Sequence, residues 1–272
     1  MRRKGIEIDE LTLRELARSP RESTHISVLI LLLTLNAGWT DLVTYLFLSK
    51  TFASFMTGNI LFIGLGLAQA HTGLLIRAVI AVLVYLMGVM VGALIIHRAP
   101  LRRTARGWRN KIMLTLFVQW IFLLSFAMLW FVTSNLTQQN VAQIILLALA
   151  AFGMGIQGAI VIAFEFPGVV ANAMTGVVIV LGQRVGKGIV HSGSGGEWRW
   201  TFLLPVLYAL GAIAVAFSST SPLTPIFPFI ISSVAITYVL WQVGQDKIEA
   251  KDDTSYGAAK DNDERPKGHD QR

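Results

Sequence analysis

The chain has 272 residues, of which 54% are hydrophobic and only 14% are charged, and its mean hydropathy is +0.59. Soluble domains carry roughly 25% charged residues, so this composition indicates an integral membrane protein. The formal charge of +7 comes from Lys and Arg that flank apolar stretches, which is a membrane-topology pattern and argues against a nucleic-acid surface. Because the sequence has no cysteine, disulfides and thiolate chemistry are excluded.

Six apolar segments approach the roughly 20 residues that a spanning helix needs. They cover residues 26–48, 78–96, 112–132, 141–164, 201–217 and 226–243. Residues 1–25 form a polar leader without a signal-peptide cleavage site, so the first segment is expected to stay as a membrane helix. Residues 244–272 form a mixed-charge tail, which we expect to be disordered and cytoplasmic.

Two shorter apolar pieces, residues 52–68 and 169–181, decide the topology. The leader and residues 97–111 each hold six Lys and Arg, so both are expected in the cytoplasm. They would lie on opposite sides if residues 52–68 crossed the membrane, and on the same side if this piece returned to the outer face. The same path for residues 169–181 places the tail inside. Two re-entrant half helices are therefore favoured, and eight short spans are the alternative.

The two short pieces resemble each other in sequence. ASFMTG at residues 53–58 corresponds to ANAMTG at residues 171–176, at an offset of 118, and Tyr85 and Gly88 correspond to Tyr208 and Gly211 at an offset of 123. One half, residues 26–133, begins inside, and the other half, residues 134–243, begins outside. The sequence therefore predicts an all-α membrane protein with six transmembrane helices plus two re-entrant half helices in an inverted-topology 3+3 repeat.

The starts of the two half helices are the predicted substrate site. A helix that begins inside a membrane has unpaired backbone N–H groups and a positive dipole end, which suit a polar or anionic solute. We expect the substrate-binding residues to be Asp41, Tyr45, Ser54, Thr57, Gly58, Asn59, Gln157, Asn172, Thr175 and Gly176.

Asp41 is the main candidate because an ionisable group at membrane depth is costly and is usually functional. It shares one face of the first span with Thr34 and Tyr45, at spacings of seven and four. We expect Asp41 to face the protein interior, as a proton acceptor or as the partner of the half-helix N-terminus. The alternative is an interfacial residue or a structural cap.

Structural explanations stay open for the other polar candidates. Thr57, Gly58 and Asn59 are typical of a helix that starts at depth and can act by capping alone. The amides of Asn36 and Gln157 can bond to a neighbouring helix as well as to a solute.

Several other features have ordinary interpretations. The pairs Gly88/Gly92 and Gly182/Gly186 have the spacing of closely packed membrane helices. The five histidines show no ligand spacing, and neither a Ser-His-Asp set nor a pair of carboxylates is visible. We therefore expect no metal, no cofactor and no enzymatic activity.

Two sequence blocks resemble a known family. GWTD at residues 38–41, YL at 45–46 and FASFMTGN at 52–59 are similar to the signature of the YoaK-like family of bacterial inner-membrane proteins of uncharacterised function. A second family block resembles GIQGA at residues 155–159 and Thr175-Gly176, with Gly158 where the family usually has Asn. The similarity spans residues 27–242 and implies a six-span membrane protein, without supplying a substrate.

The function that these features favour is secondary transport of a small polar or anionic solute by alternating access. The chain is expected in the bacterial inner membrane with both termini cytoplasmic. Its expected partners are that solute and the lipid bilayer, not nucleic acid, and homo-oligomerisation stays open. A channel, or a membrane scaffold or regulatory protein that acts through its tail, is the alternative.

Overall fold

The computed structural model describes residues 20–48, 50–98, 105–133, 140–164, 174–190, 197–221 and 223–241. Every regular element in these ranges is helical. The helices are α1 Pro20–Phe47, α2 Met56–Ala68, α3 Thr72–Arg98, α4 Ala105–Thr133, α5 Asn140–Ala163, α6 Met174–Val190, α7 Glu197–Ser218 and, after a 3₁₀ turn at Thr224–Ile226, α8 over residues 227–241. Most of the polar leader and all of the charged tail lie outside the described residues.

Six of these helices are long and apolar enough to cross a membrane, which confirms the six predicted spans. They contain the stretches His25–Phe47, Thr72–His97, Asn110–Thr133, Val141–Ala163, Thr201–Ser218 and Thr224–Trp241. The two remaining helices, α2 with 13 residues and α6 with 17 residues, are too short and correspond to the two short apolar pieces.

Several helix boundaries differ from the prediction, and three of them involve basic residues. Helix α1 begins at Pro20, inside the predicted leader, and α6 continues to Val190, so that Arg184 and Lys187 are helical. Helix α4 begins at Ala105, so part of the predicted basic loop belongs to its first turns. The physical reason is that Arg and Lys are good helix formers whose long side chains reach polar surroundings from a helix end. An apolar pattern therefore marks only the central part of such a helix.

The core consists of two apolar layers. Layer one contains Ile26, Ile96, Ile112, Ile160 and Leu204, and layer two contains Leu48, Ala81, Trp130, Leu146 and Val215.

The two layers show in which direction five of the long helices run. Helices α1, α4 and α7 begin in layer one and end in layer two, whereas α3 and α5 run from layer two to layer one. Helix α3 thus begins at the end of the bundle where α1 stops, and α7 begins where α5 stops. The long helices that precede and follow each short helix therefore stop and start at the same end of the bundle.

Close backbone contacts hold α1 against α7 and α3 against α5. A Cβ added at Gly38 would overlap the carbonyl oxygen of Tyr208, and one added at Gly155 would overlap the carbonyl oxygen of Tyr85. The two contacts correspond, because Gly155 lies 117 residues after Gly38 and Tyr208 lies 123 residues after Tyr85.

A second pair of contacts repeats the same displacements. Gly211 lies against the carbonyl oxygen of Leu35, and Gly88 lies against that of Phe152. Gly88 precedes Gly211 by 123 residues, and Leu35 precedes Phe152 by 117 residues. The same two offsets, 117 and 123 residues, therefore relate both α1/α7 contacts to both α3/α5 contacts.

The predicted packing role of the glycine pairs is correct for one pair and wrong for the other. Gly88 and Gly92 both contact α5. By contrast, a Cβ at Gly182 or Gly186 would meet no atom of the described residues within 4 Å. Spacing alone identifies the face of a helix but not which neighbour covers it.

Candidate functional site

The buried carboxylate of Asp41 binds the chain just before α2. Its Oδ1 accepts hydrogen bonds from the backbone N–H groups of Ser54 at 2.6 Å and Phe55 at 3.3 Å. Its Oδ2 accepts from the hydroxyls of Ser54 at 2.7 Å and Tyr208 at 2.7 Å. Asp41 is only 2% exposed. One side chain therefore connects α1, the start of α2 and α7.

The extended segment ahead of α2 runs back along α1. Thr44 Oγ1 accepts the N–H of Ala53 at 3.1 Å, and Asp41 accepts that of Ser54, so the segment passes successively deeper residues of α1. Asp41 lies six residues before the end of α1 at Phe47, or about 9 Å along the helix axis. The helix α2 thus begins well below the end of α1.

Asn59 completes the pairing of this segment. Its Oδ1 accepts the N–H of Phe52 at 3.0 Å, and its Nδ2 donates to the Phe52 carbonyl oxygen at 2.7 Å. Asn59, in the first turn of α2, therefore pairs both the N–H and the carbonyl group of Phe52, which lies outside α1 and α2.

The expectation of free N–H groups ahead of the first half helix is wrong for Ser54 and Phe55. The Asp41 carboxylate already occupies this position, because a buried N–H without a partner would cost about 1–3 kcal/mol. The helix itself begins at Met56, four residues into the predicted apolar piece of residues 52–68. The hydrogen bonds agree with one of the two roles expected for Asp41 from the sequence, that of partner to the N-terminal end of α2.

Other predicted residues around α2 build its apolar surroundings. The Tyr45 ring stacks on the Phe52 ring at 5.0 Å, and Lys50 Nζ lies 5.8 Å from the Tyr45 ring centroid. Gly58 is buried, and a Cβ there would collide with the Phe55 ring. Thr57 is exposed. The structure therefore places Tyr45 and Gly58 in contact with aromatic rings.

The second short helix is only partly described. Thr175 is exposed and Gly176 is half-buried with open space beside its Cα, while Asn172 lies outside the described residues. Helix α6 packs on α7, and α2 packs on α3. The described parts of the two short helices thus form separate hairpins, and the predicted meeting of their N-terminal ends stays a prediction.

A second group of buried polar side chains, which we call the amide cluster, lies between α1, α4, α5 and α8. It consists of Asn36, Gln119, Gln157 and Ser232, all fully buried. Gln157 Oε1 accepts from Asn36 Nδ2 and from Gln119 Nε2, both at 2.9 Å. Gln157 Nε2 donates to the carbonyl oxygen of Leu33 at 2.8 Å.

Two carbonyl oxygens of the amide cluster, Asn36 Oδ1 and Gln119 Oε1, have no hydrogen-bond donor within the part of the chain that the structure describes. Asn36 is midway along its span, with eleven residues on either side to His25 and Phe47. Both orphan acceptors are therefore carried by side chains deep inside the protein, where an unpaired polar group is costly.

Sequence reasoning missed Gln119, Ser232 and Tyr208 as site residues. Gln119 is the one amide side chain in the predicted span at residues 112–132, which is a usable signal. Tyr208 was visible as the repeat partner of Tyr85 but not as a neighbour of Asp41. Serine is common in membrane helices, so Ser232 gave no signal of its own.

No group of three His, Asp or Glu side chains that could hold a metal gathers within the described ranges. The site is therefore described by its carboxylate, hydroxyl and amide groups alone.

The fold and these sites define a multi-pass helical membrane protein with a buried polar interior. Residues 29–241 match the model of the family described as "Protein of unknown function (DUF1275)", and the chain belongs to this family. It is 26% identical over 198 residues to the UPF0700 transmembrane protein YoaK of Bacillus subtilis (strain 168), covering 70% of this chain and 82% of that protein. The resemblance to YoaK-like proteins is thus confirmed. No solved structure matches the chain.

Proposed function

We propose that this protein is a secondary transporter that moves a small polar solute by alternating access. The observation that carries the proposal is the Asp41 carboxylate, which is buried and binds a half helix of its own half and a tyrosine of the other half. An ionisable group at such depth is expensive, and transporters use such groups to bind or couple ions. A change at Asp41 would act on both halves at once.

The proposed architecture is an inverted repeat with two re-entrant half helices. Its support is the pair of equivalent glycine contacts, which relate α1/α7 to α5/α3, and the return of each short helix to the end of the bundle from which it left. In such repeats the two halves exchange conformations and open a central site to either side.

The amide cluster extends the proposed site. Asn36 lies five residues before Asp41 on α1, or about 7.5 Å along the helix axis. Both polar groups are at most 2% exposed, as in the occluded state of a carrier. A pore that conducts continuously needs a wetted path, so burial favours a carrier over a channel.

The proposed transporter lies in a bacterial inner membrane and carries out no chemical reaction on its solute. The basic residues of the leader and of residues 97–111 favour a cytoplasmic position for that end of the bundle and for both termini, in the inner membrane of a bacterium. We propose transport without a chemical step, because the carboxylate that accepts from the Ser54 and Tyr208 hydroxyls is also occupied by two backbone N–H groups ahead of α2.

The test compares wild type with Asp41→Asn in proteoliposomes. An imposed pH gradient should drive accumulation of at least one member of a panel of small polar solutes. Asparagine can still accept the two N–H groups, and its amide can donate to the Ser54 and Tyr208 hydroxyls, so the variant should fold. It should lose accumulation but keep solute counterflow, which needs no proton. Ser125→Ala, which removes a hydroxyl that bonds within α4, is the matched control.

Two outcomes would count against the proposal. Absence of saturable flux for every solute that binds would contradict the proposed transport. Unchanged pH-driven accumulation in Asp41→Asn would contradict the proposed role of the carboxylate in proton coupling. Deletion of residues 244–272 should leave transport intact, whereas a scaffold that acts through its tail would lose its function.

A further inference from the structure

The amide cluster contains a surplus of hydrogen-bond acceptors. The N–H groups of Asn36 Nδ2 and Gln119 Nε2 point at Gln157 Oε1, at 2.9 Å each, and at Ser232 Oγ, at 3.4 Å each. The two orphan carbonyl oxygens remain. The N–H donors of Asn36 and Gln119 are therefore used inside the cluster. The carbonyl oxygens of the same two side chains accept no hydrogen bond from the described residues.

The backbone carbonyl of Leu33 determines this polarity. It accepts from Gln157 Nε2, so Gln157 must present its Oε1 to the other two amides. Rotating Asn36 or Gln119 by 180° would place a carbonyl oxygen against Gln157 Oε1, with acceptor facing acceptor. The orientation of all three amides thus follows from one backbone group that cannot change its own polarity.

We propose that the amide cluster binds the N–H donor group of a small neutral or cationic solute. This inference rests on the proposed function only for the statement that the solute is transported. Two buried carbonyl oxygens would repel an anion and can accept from an amide, amine or ammonium group. The Asp41 carboxylate, further along α1, adds negative charge to the same interior. Of the polar or anionic solutes expected from the sequence, this inference favours a polar solute that is not an anion.

Binding is tested on the purified full-length chain with probes of matched shape. Acetamide and acetate have the same heavy-atom skeleton, but only acetamide carries N–H donors, and methylammonium supplies the cationic case. At saturating concentration acetamide or methylammonium should raise the thermal unfolding midpoint by about 2–4 °C, and acetate should not. A shift with acetamide alone assigns a neutral donor, and one with methylammonium alone assigns a cationic donor.

The site is tested with Gln119→Met, which keeps the length of the side chain and removes its orphan oxygen. Thr115→Val is the control, because Thr115 is also buried on α4 but bonds to the Lys111 carbonyl oxygen. The probe-induced shift should disappear in Gln119→Met and persist in Thr115→Val. If Gln119→Met does not fold, Asn36→Leu replaces it, since Asn36 carries the other orphan oxygen.

Three outcomes would overturn the inference. These are stabilisation by acetate equal to that by acetamide, a shift that survives in Gln119→Met, and no shift with any probe, which would mean that the orphan oxygens bind ordered water only. Binding without flux would contradict the proposed transport and leave this site intact. Flux that is independent of Gln119 and Asn36 would contradict this site and leave transport intact.

Discussion

Tyr208 donates a hydrogen bond to the carboxylate of Asp41 at 2.7 Å, although 167 residues separate them. Asp41 in turn binds the two backbone N–H groups ahead of α2. The start of α2 is therefore held by a residue of α1 that also accepts a hydrogen bond from α7. Movement of α7 relative to α1 would therefore change or break a hydrogen bond to the carboxylate that holds the start of α2.

The first prediction concerns Tyr208. Tyr208→Phe removes the hydroxyl and leaves the backbone cap, so it should lower the free energy of unfolding by about 1 kcal/mol. Its effect on transport should be larger, because it disconnects the two halves at the carboxylate. Equilibrium unfolding and proteoliposome uptake measure the two effects. Tyr238→Phe, which removes a bond to His25, is the control, and an equal loss of uptake in both variants would contradict the prediction.

The second prediction concerns the glycine contacts. Gly38→Ala and Gly155→Ala force a methyl group onto a backbone oxygen of the neighbouring helix, and each should cost about 3 kcal/mol because backbone cannot move aside cheaply. The methyl groups added by Gly64→Ala and Gly182→Ala would contact no described residue. These two variants should be neutral or stabilising by about 0.5 kcal/mol, since alanine is the better helix former. Thermal unfolding in detergent separates the two sets. Similar midpoints for all four variants would show that the close contacts are not formed.

The third prediction concerns Asn59, which binds both backbone polar groups of Phe52. Asn59→Leu leaves both groups unpaired and should cost about 2 kcal/mol. The segment ahead of α2 should then detach from α1. A single cysteine at Ala53, a fully buried position, reports this, because the chain has no cysteine of its own. It should react slowly with a water-soluble maleimide in the parent and rapidly with Asn59→Leu. Equal rates would assign Asn59 no role in holding the segment.

The fourth prediction concerns the path of α2. Single cysteines at Lys50 and His71, which flank the half helix and are exposed, should react with an impermeant maleimide from the same side of the membrane. A cysteine at His97, the exposed end of the third helix, should react from the opposite side. This follows from the start of α3 beside the end of α1. Labelling of Lys50 and His71 from opposite faces would favour the eight-span alternative.

The fifth prediction concerns the two turns that flank α2. Lys50 and Ala70 adopt positive φ angles of 63° and 51°, a backbone region that costs about 1 kcal/mol for residues with a side chain. Ala70→Gly should therefore stabilise the protein by up to about 1 kcal/mol. Lys50→Gly should gain less, because it also loses the contact of the lysine with the Tyr45 ring. Both changes are measured by thermal unfolding, and a lower midpoint for Ala70→Gly would contradict the prediction.

The sequence by itself determined the elements that depend on local chemistry. Long apolar runs must become membrane-spanning helices because their backbone groups have no partner in lipid, and the six spans follow from that. The GWTD and MTGN blocks indicated the family, and the cost of a buried carboxylate singled out Asp41. The matching residues Tyr85 and Tyr208 indicated that the two halves use equivalent positions.

Only the tertiary structure decided which polar groups meet. Asp41 and Ser54 lie together because the chain turns back along α1, and Asn36, Gln119 and Gln157 come from three helices whose polar faces are turned towards each other by packing. Periodicity carries no information about such pairings, since hydrogen bonds between side chains depend on distances across the bundle. The polarity of the amide cluster depends on a single backbone carbonyl at Leu33, which no pattern of residue types can reveal.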